Sequence, residues 1–282
     1  MRVLDSHVHL WDPGRLRYRW LEGTELNRVM DASLLRAAAD PVSDFLAVQA
    51  DCDHTEGLAE VIWLMEQAEH LPGVRGVVAF APLESGARVR DHLRVLHDMP
   101  LVVGVRRLIQ DEEPGFAVTP AFLEGVGMLA DFALTFDVCV RSSQLGEVVE
   151  LVRRTPDVQF VLDHLGKPRV GVDASGWRRQ ITELAAMPNI ACKLSGLMTE
   201  VVAGPRNLEA VRPLLAHALA AFGPTRCLFG SDWPVMTAAT TYSDWLEVVS
   251  TVVPAEDDRR EVLAGTAERV YRLPASGRDL PS

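Results

Sequence analysis

Short apolar runs alternate along the chain with longer stretches in which apolar residues recur every three or four positions. The short runs are Arg2–His9, Phe45–Asp51, Arg75–Pro82, Leu101–Arg106, Leu134–Arg141, Gln159–His164, Ile190–Gly196 and Arg226–Asp232. Most are rich in Val, Leu, Ile and Phe without strict polar alternation, the pattern of parallel strands buried on both faces. The longer stretches predict helices. In Glu56–His70, the residues Leu58, Val61, Ile62, Met65 and Ala68 fall on one face at helical spacing. Similar patterns cover Gly86–Asp98, Pro120–Asp131, Gln144–Arg154, Ser175–Met187, Asn207–Phe222, Tyr242–Val253 and Ala255–Tyr271, and a shorter helix, Ala32–Asp40, follows the first strand. This alternation of β and α units over 282 residues fits one α/β domain, residues 1–282, folded as a closed (β/α)₈ barrel of TIM type.

Composition narrows the partners. An apolar fraction of 48% supports a large core, and a formal charge of −11 disfavours nucleic acid and anionic membranes, leaving a small molecule as the expected partner. A homo-oligomer is compatible with the sequence. MRVLDSHVHL carries no basic-then-apolar leader, and no uncharged apolar run is long enough to span a membrane, so a cytoplasmic location is expected. Cys52, Cys139, Cys192 and Cys227 lie in or at the ends of apolar segments without close pairing, which predicts buried thiols rather than disulfides.

The polar residues at strand ends carry the chemistry. His7 and His9 stand one residue apart at the end of the first strand, and side chains at i and i+2 share a face, so both imidazoles point the same way. Asp232 ends the last strand, where a carboxylate is costly to bury unless paired, bound to a cation or used in catalysis. First and last strands are neighbours in a closed barrel, which brings Asp232 beside the histidine pair. His164 ends the sixth strand and would complete a trio, with Asp163 expected to point away into a structural hydrogen bond. Arg106 and Arg141 end the fourth and fifth strands, with Lys193 and Ser195 late in the seventh, and guanidiniums at a barrel mouth suit a substrate with carboxylate or hydroxyl groups, the alternative being ion pairs with loop acids such as Asp111 or Glu112. Register leaves Arg106 and Arg107 as alternatives. Trp20, in the long connection Leu10–Met30 beside Trp11 and Tyr18, and Trp233 could stack on a substrate ring or close the barrel end. The other histidines, His54, His70, His92, His97 and His217, read as solvated. No glycine-rich phosphate loop and no Gly-x-Ser-x-Gly elbow is present.

The motifs DSHVHLWDP, GVRRLIQDEEP, FDVCVRSSQL, VLDHLGKP, CKLSGL, LFGSDWPV and GTAERVYRL, in this order, span nearly the whole chain. Together they resemble the amidohydrolase superfamily, and within it the lactonase-like branch that holds fuconolactonases, rhamnonolactonases, sulfomuconolactone hydrolases and pyrone dicarboxylate lactonases. The resemblance implies a distorted barrel and hydrolysis of a small cyclic ester, with Asp232 as the general base toward water. His7, His9, His164 and Asp232 match the family's catalytic and metal-binding positions, so one divalent ion, zinc or manganese, is implied as an option beside metal-independent hydrolysis. The bridging lysine of two-metal members has no match on the middle strands, where the fourth ends in Arg106. Arg107 stands where fuconolactonase-like relatives often carry histidine. Two rival readings use the same residues: a metal-dependent decarboxylase of an aromatic or unsaturated acid, and a barrel that binds a sugar acid without turning it over.

Overall fold

The computed structural model describes residues 1–274 except 41, 43, 205 and 206, so the last stretch of the expected domain, 275–282, lies outside the described residues. Its eight strands lie in one parallel sheet in chain order. They are β1 (Leu4–Val8), β2 (Asp44–Val48), β3 (Val74–Phe80), β4 (Val102–Leu108), β5 (Thr135–Cys139), β6 (Phe160–Leu162), β7 (Ile190–Leu194) and β8 (Cys227–Phe229). The sheet closes between first and last strands. Val8 and Trp233 form a parallel bridge, the His9 N–H donates to the Trp233 carbonyl at 2.7 Å, and the Asp232 N–H donates to the His7 carbonyl at 2.9 Å. The result is the predicted TIM-type barrel.

The absence of polar alternation has a simple origin: both faces of the strands are buried in apolar surroundings. On β2, Phe45 and Ala47 join the outer core against the helices, while Leu46 and Val48 join the inner core. The outer layer comprises α1 (Ala32–Ala38), α2 (Gly57–His70), α3 (Arg90–His97), α4 (Pro120–Gly127), α5 (Leu145–Arg154), α6 (Ser175–Ala185), α7 (Arg212–Phe222) and α8 (Tyr242–Val252). Two helices start later than their periodicity predicts. The stretch from Gly86 reaches α3 only after a 3₁₀ segment in which Gly86 takes φ 60°, and the stretch from Asn207 passes through a 3₁₀ turn before α7. Helix α2 is rotated from its predicted face: Glu60, Val61, Trp63 and Leu64 are buried, whereas Ile62 is exposed. The rotation places the Glu60 carboxylate where it accepts the Ala50 N–H at 2.8 Å.

After α8 come α9 (Glu256–Arg260), a π turn (Glu261–Gly265) and α10 (Thr266–Val270), which close the N-terminal end of the barrel. Ala264, Ala267 and Tyr271 pack into the inner core with Leu4, Val78 and Leu228. The Tyr271 hydroxyl donates to Asp137 of β5 at 2.7 Å. Among the described residues, no helix is long and apolar enough to cross a membrane. All four cysteines are free and buried, as expected.

One buried carboxylate ties the seam together. Asp5 accepts the His7 N–H at 3.0 Å and the Ser231 N–H at 2.9 Å on one oxygen, and the Tyr242 hydroxyl of α8 donates to the other. The floor of the barrel is held in a comparable way by Tyr271 on Asp137. Tyr271→Phe should therefore lower stability by about 1–2 kcal/mol, because it deprives a buried carboxylate of a donor while leaving the ring in place. Denaturant unfolding of the two proteins, compared at equal slope, checks this value.

Candidate active site

The seam sets the geometry of the site. Between Asp5 and Val8, β1 advances three residues while β2 advances two, so one extra residue bulges out of β1. A bulge shifts the in–out alternation. Leu4 therefore lies in the inner core and Val8 in the outer one, while His7 and His9 both turn inward. Their Nε2 atoms are 3.1 Å apart.

Asp232 comes to meet them from beyond β8, with a left-handed backbone at φ 67°. Its Oδ1 lies 3.5 Å from His9 Nε2, 3.8 Å from His7 Nε2 and 4.0 Å from His164 Nε2. His164 arrives by a different route. Strand β6 ends at Leu162, and His164, Leu165, Gly166 and Lys167 then take φ values of 52°, 54°, 68° and 48°. This left-handed turn swings the imidazole into the barrel mouth, where Nδ1 meets Ser195 Oγ at 2.9 Å. Two glycines make room. A Cβ on Gly196, itself at φ 67°, would stand 2.5 Å from His164 Nδ1, and one on Gly230 would stand 2.9 Å from His7 Cβ.

The same turn corrects the expectation for Asp163. With Val161 in the inner core, alternation carries Asp163 inward, and it reaches His7 Nδ1 at 3.3 Å and Lys193 Nζ at 3.1 Å. Lys193 lies beneath His7, with Nζ 3.0 Å from Nδ1, and is also paired to Asp137. Arg106, rather than Arg107, enters the site: its NH1 lies 3.3 Å from His7 Nε2 and 3.6 Å from Asp163 Oδ2, and its NH2 donates to the Gln49 carbonyl. Arg107 faces away and pairs with Glu84 and Glu112.

Burial decides the protonation states. It depresses the pKa of His7, with Lys193 adding to the effect, and that of His9, with Arg106 adding to it. His164 is pushed down to about 4 by the same cause. Burial works against the charge of Asp232, yet His164, His9 and His7 outweigh it and hold this carboxyl well below the usual carboxylate range. At neutral pH the site is therefore an ionised carboxylate ringed by neutral imidazoles. His9 Nδ1 lies 2.8 Å from the Val48 carbonyl, an acceptor, so the ring proton sits on Nδ1 and Nε2 presents its lone pair. Ligand atoms of His7, His9 and Asp232 lie within 4.8 Å of one another, and this N,N,O set in these protonation states suits one divalent ion. The fixed charge of Arg106 opposes a second ion beside it.

A pocket of about 240 Å³ opens above these groups, lined by His9, His164, Asp232 and Arg106 from below and by Trp20, Asp51, Gln110 and Lys167 at the sides. Its size, below the roughly 300–1,000 Å³ of drug-sized ligand sites, suits a single small ring. Of the aromatics in the long first connection, Trp20 faces the pocket, while Trp11 and Tyr18 are buried behind it. Two residues expected at the substrate are elsewhere. Trp233 lies in the outer core, on the opposite side of the chain from Asp232. Arg141 is exposed and pairs with Asp111 at 2.5 Å. Of the histidines read as solvated, His92 and His217 are half-buried, each with a ring nitrogen 3.1 Å from a backbone carbonyl; the other three are exposed. Sequence reasoning missed Asp51, Gln110 and Lys167 as pocket residues and Asp137 as the partner of Lys193. An acid interrupting the apolar run of β5 was the one visible sign of the last.

The amidohydrolase family model matches residues 4–273. The chain belongs to the amidohydrolase family. An L-fucono-1,5-lactonase of Burkholderia multivorans is 32% identical, over 96% of this chain and 96% of that protein. An L-rhamnono-gamma-lactonase of Scheffersomyces stipitis is 26% identical, over 96% of this chain and 99% of that protein. A crystal structure of an amidohydrolase from Burkholderia multivorans with bound zinc superposes with a TM-score of 0.87 and 31% identity, over 97% of this chain and 100% of that one.

The wall of this amidohydrolase's pocket contains a titrating support. Burial raises the Glu60 carboxyl to about 7, against the hydrogen bond from the Ala50 N–H, and the Ala50 carbonyl in turn holds Trp20 Nε1 at 2.7 Å. The folded protein keeps a proton here that the unfolded chain releases near 4.5, so folding stability falls as pH rises through that window. Glu60→Gln, which retains the acceptor, should flatten this decline and gain stability over wild type above pH 7. Melting temperatures of both proteins from pH 5 to 8.5 test it.

Proposed function

We propose that this amidohydrolase opens a small lactone by addition of water, with Asp232 as the general base. The observation that carries the reading is the convergence of three imidazoles about one carboxylate oxygen on the pocket floor, with Arg106 reaching one of them, His7. The neighbours of Asp232 Oδ1 at 3.5–4.0 Å are beyond hydrogen-bond length, which leaves that oxygen able to accept a proton from water. The names of the lactonase relatives support a cyclic ester as substrate.

In the proposed reaction, Asp232 takes one proton from water as its oxygen attacks the carbonyl carbon. The Arg106 guanidinium opposes the negative charge that develops on the carbonyl oxygen. Collapse breaks the bond to the ring oxygen, and the proton held on Asp232 passes to that oxygen. The product is an open-chain hydroxy acid, which ionises to release acid. Lys193 and Asp163 act from beneath by fixing the His7 ring.

A carboxylate held below its ordinary pKa is a weak base, so the attacking water needs help. One divalent ion held by His7, His9 and Asp232 would supply it by polarising the carbonyl and lowering the pKa of water. The zinc found in the 31%-identical amidohydrolase supports this part of the proposal.

Asp232→Asn should keep the wild-type circular dichroism and melting behaviour while losing at least about 1,000-fold in kcat/KM across a lactone panel, read as acid release with a pH indicator. Carbon dioxide release without acid, or near-native turnover by this variant, would overturn the assignment. Zinc added to chelator-treated protein should raise Tm by several degrees in wild type and not in His9→Ala. An unchanged Tm together with full turnover after exhaustive chelation would assign the reaction to the side chains alone.

A further inference from the structure

Lys167 brings a second positive charge to the wall of this pocket. It closes the left-handed turn that follows β6, at φ 48°, a conformation that disfavours residues with a Cβ. The turn is nonetheless held in place. The Lys167 N–H donates to the His164 carbonyl at 2.8 Å, and Trp177 Nε1 of α6 donates to the Leu165 carbonyl at 2.7 Å. One strained turn thus delivers both the His164 ring and the Lys167 ammonium to the barrel mouth, and strain of this kind gathers at functional sites.

The ammonium is fixed by contact. Its Nζ donates to Gln110 Oε1, and both residues line the pocket above Asp232 but neither of the two depressions beside it, around His54. Gln110 is itself held, its carbonyl accepting Arg141 Nε and its Nε2 donating to Asp111 Oδ2, each at 3.1 Å. The connection after β4 and the turn after β6 therefore meet over the end of β5, where the Cys139 thiol lies 3.8 Å from the same Oε1.

Among the described residues Lys167 forms no ion pair, whereas Lys193 in the layer below is paired to two carboxylates. An ammonium has three donors, of which Gln110 takes one, leaving two for a ligand. Burial works against the charge of Lys167, but Cys139, Asp232 and Glu200 outweigh it and hold its pKa above the ordinary value. The group is therefore a source of positive charge and hydrogen bonds, not of protons. Ring opening puts negative charge on two oxygens in turn, the carbonyl oxygen as water adds and the ring oxygen as its bond to carbon breaks. Arg106, on the floor beside His7, answers the first. In a space that suits one small ring, a wall group with open donors touches whatever fills it, and Lys167 is the other cation there.

We propose that Lys167 is a further catalytic residue, whose ammonium hydrogen-bonds the ring oxygen of the lactone and stabilises the negative charge arriving there as the ring opens. This rests on the lactonase reading. The bond between the carbonyl carbon and the ring oxygen breaks with its electron pair passing to that oxygen. The proton that Asp232 took from water ends on the same atom, and Lys167 keeps all of its own. Gln110 is a positioning residue that acts through Lys167.

The test sets a lactone against the thiolactone of equal ring size, in wild type, Lys167→Met and Lys167→Gly. Sulfur leaves readily, since a thiol has a pKa of about 8.5, far below that of an alcohol, so a cation at the leaving atom matters less there. Loss of one preorganised donor should lower kcat of Lys167→Met about 100-fold on the lactone and about tenfold or less on the thiolactone, with a smaller change in KM. Both variants should melt cooperatively and close to wild type. In Lys167→Gly, where glycine adopts the left-handed turn freely, added ethylammonium should restore part of the lost lactone turnover, a response that a purely structural lysine would not give. Near-native lactone turnover by Lys167→Met, equal losses on the two rings, a loss confined to KM, or indifference of Lys167→Gly to ethylammonium would overturn the assignment while leaving the hydrolase reading intact. Wild type opening neither ring would overturn both.

Discussion

Asp5 never touches the pocket, yet the arrangement of the site follows from what it holds. Its carboxylate gathers the backbone N–H groups of His7 and Ser231 and the hydroxyl of Tyr242, joining β1, the end of β8 and α8 at the one place where a sheet in chain order must close on itself. Burial lifts its pKa to about 6 against these donors, so the group is kept at an energetic disadvantage for the sake of the geometry. His7 is itself held by Asp5, and Asp232 directly follows the held Ser231. Their distance is therefore a property of barrel closure and not of two independent loops, and positional accuracy of this kind is what a group near an attacking water requires.

Beneath the pocket the interior is layered by polarity. Leu4, Leu46, Val78 and Leu228 fill the lower barrel with Tyr271. Above them lie Asp137, Lys193 and Asp163, fully buried and mutually paired. Burial disfavours the charge on Lys193, but the two carboxylates outweigh it and hold its pKa above the ordinary value. Such a cluster contributes little net stability compared with apolar packing. What it provides here is a rigid, charged bed for His7, whose ring is contacted on Nδ1 by Lys193 and Asp163 and approached on Nε2 by Arg106. The imidazole is fixed from both ends.

The barrel was legible because eight doubly buried strands leave a strong apolar signal, and the catalytic candidates because polar groups ending such strands stand out. His7, His9, His164 and Asp232 do meet at one mouth. The misreading of Asp163 comes from the assumption that strand alternation continues to the last residue of an apolar run. Strand β6 ends before Asp163, so both Asp163 and His164 can turn inward, one by alternation and the other by a left-handed turn. The bulge in β1 is equally silent in sequence, since it is a mismatch with β2 and not a property of β1 alone. Trp233 and Arg141 were assigned to the substrate by residue type, and packing and an exposed ion pair claimed them instead. Asp51 was missed as a pocket residue because a lone acid at a strand end looks like an ordinary turn residue until the pocket can be seen.

The Tyr271 contact on Asp137 spans 134 residues of sequence. The floor of the barrel is thus supplied by a segment that follows the eight described strands in sequence. Without Ala264, Ala267 and Tyr271 the buried Asp137 would lose its hydroxyl donor and the inner core would lie open beneath it, so this layer depends on residues far apart in sequence.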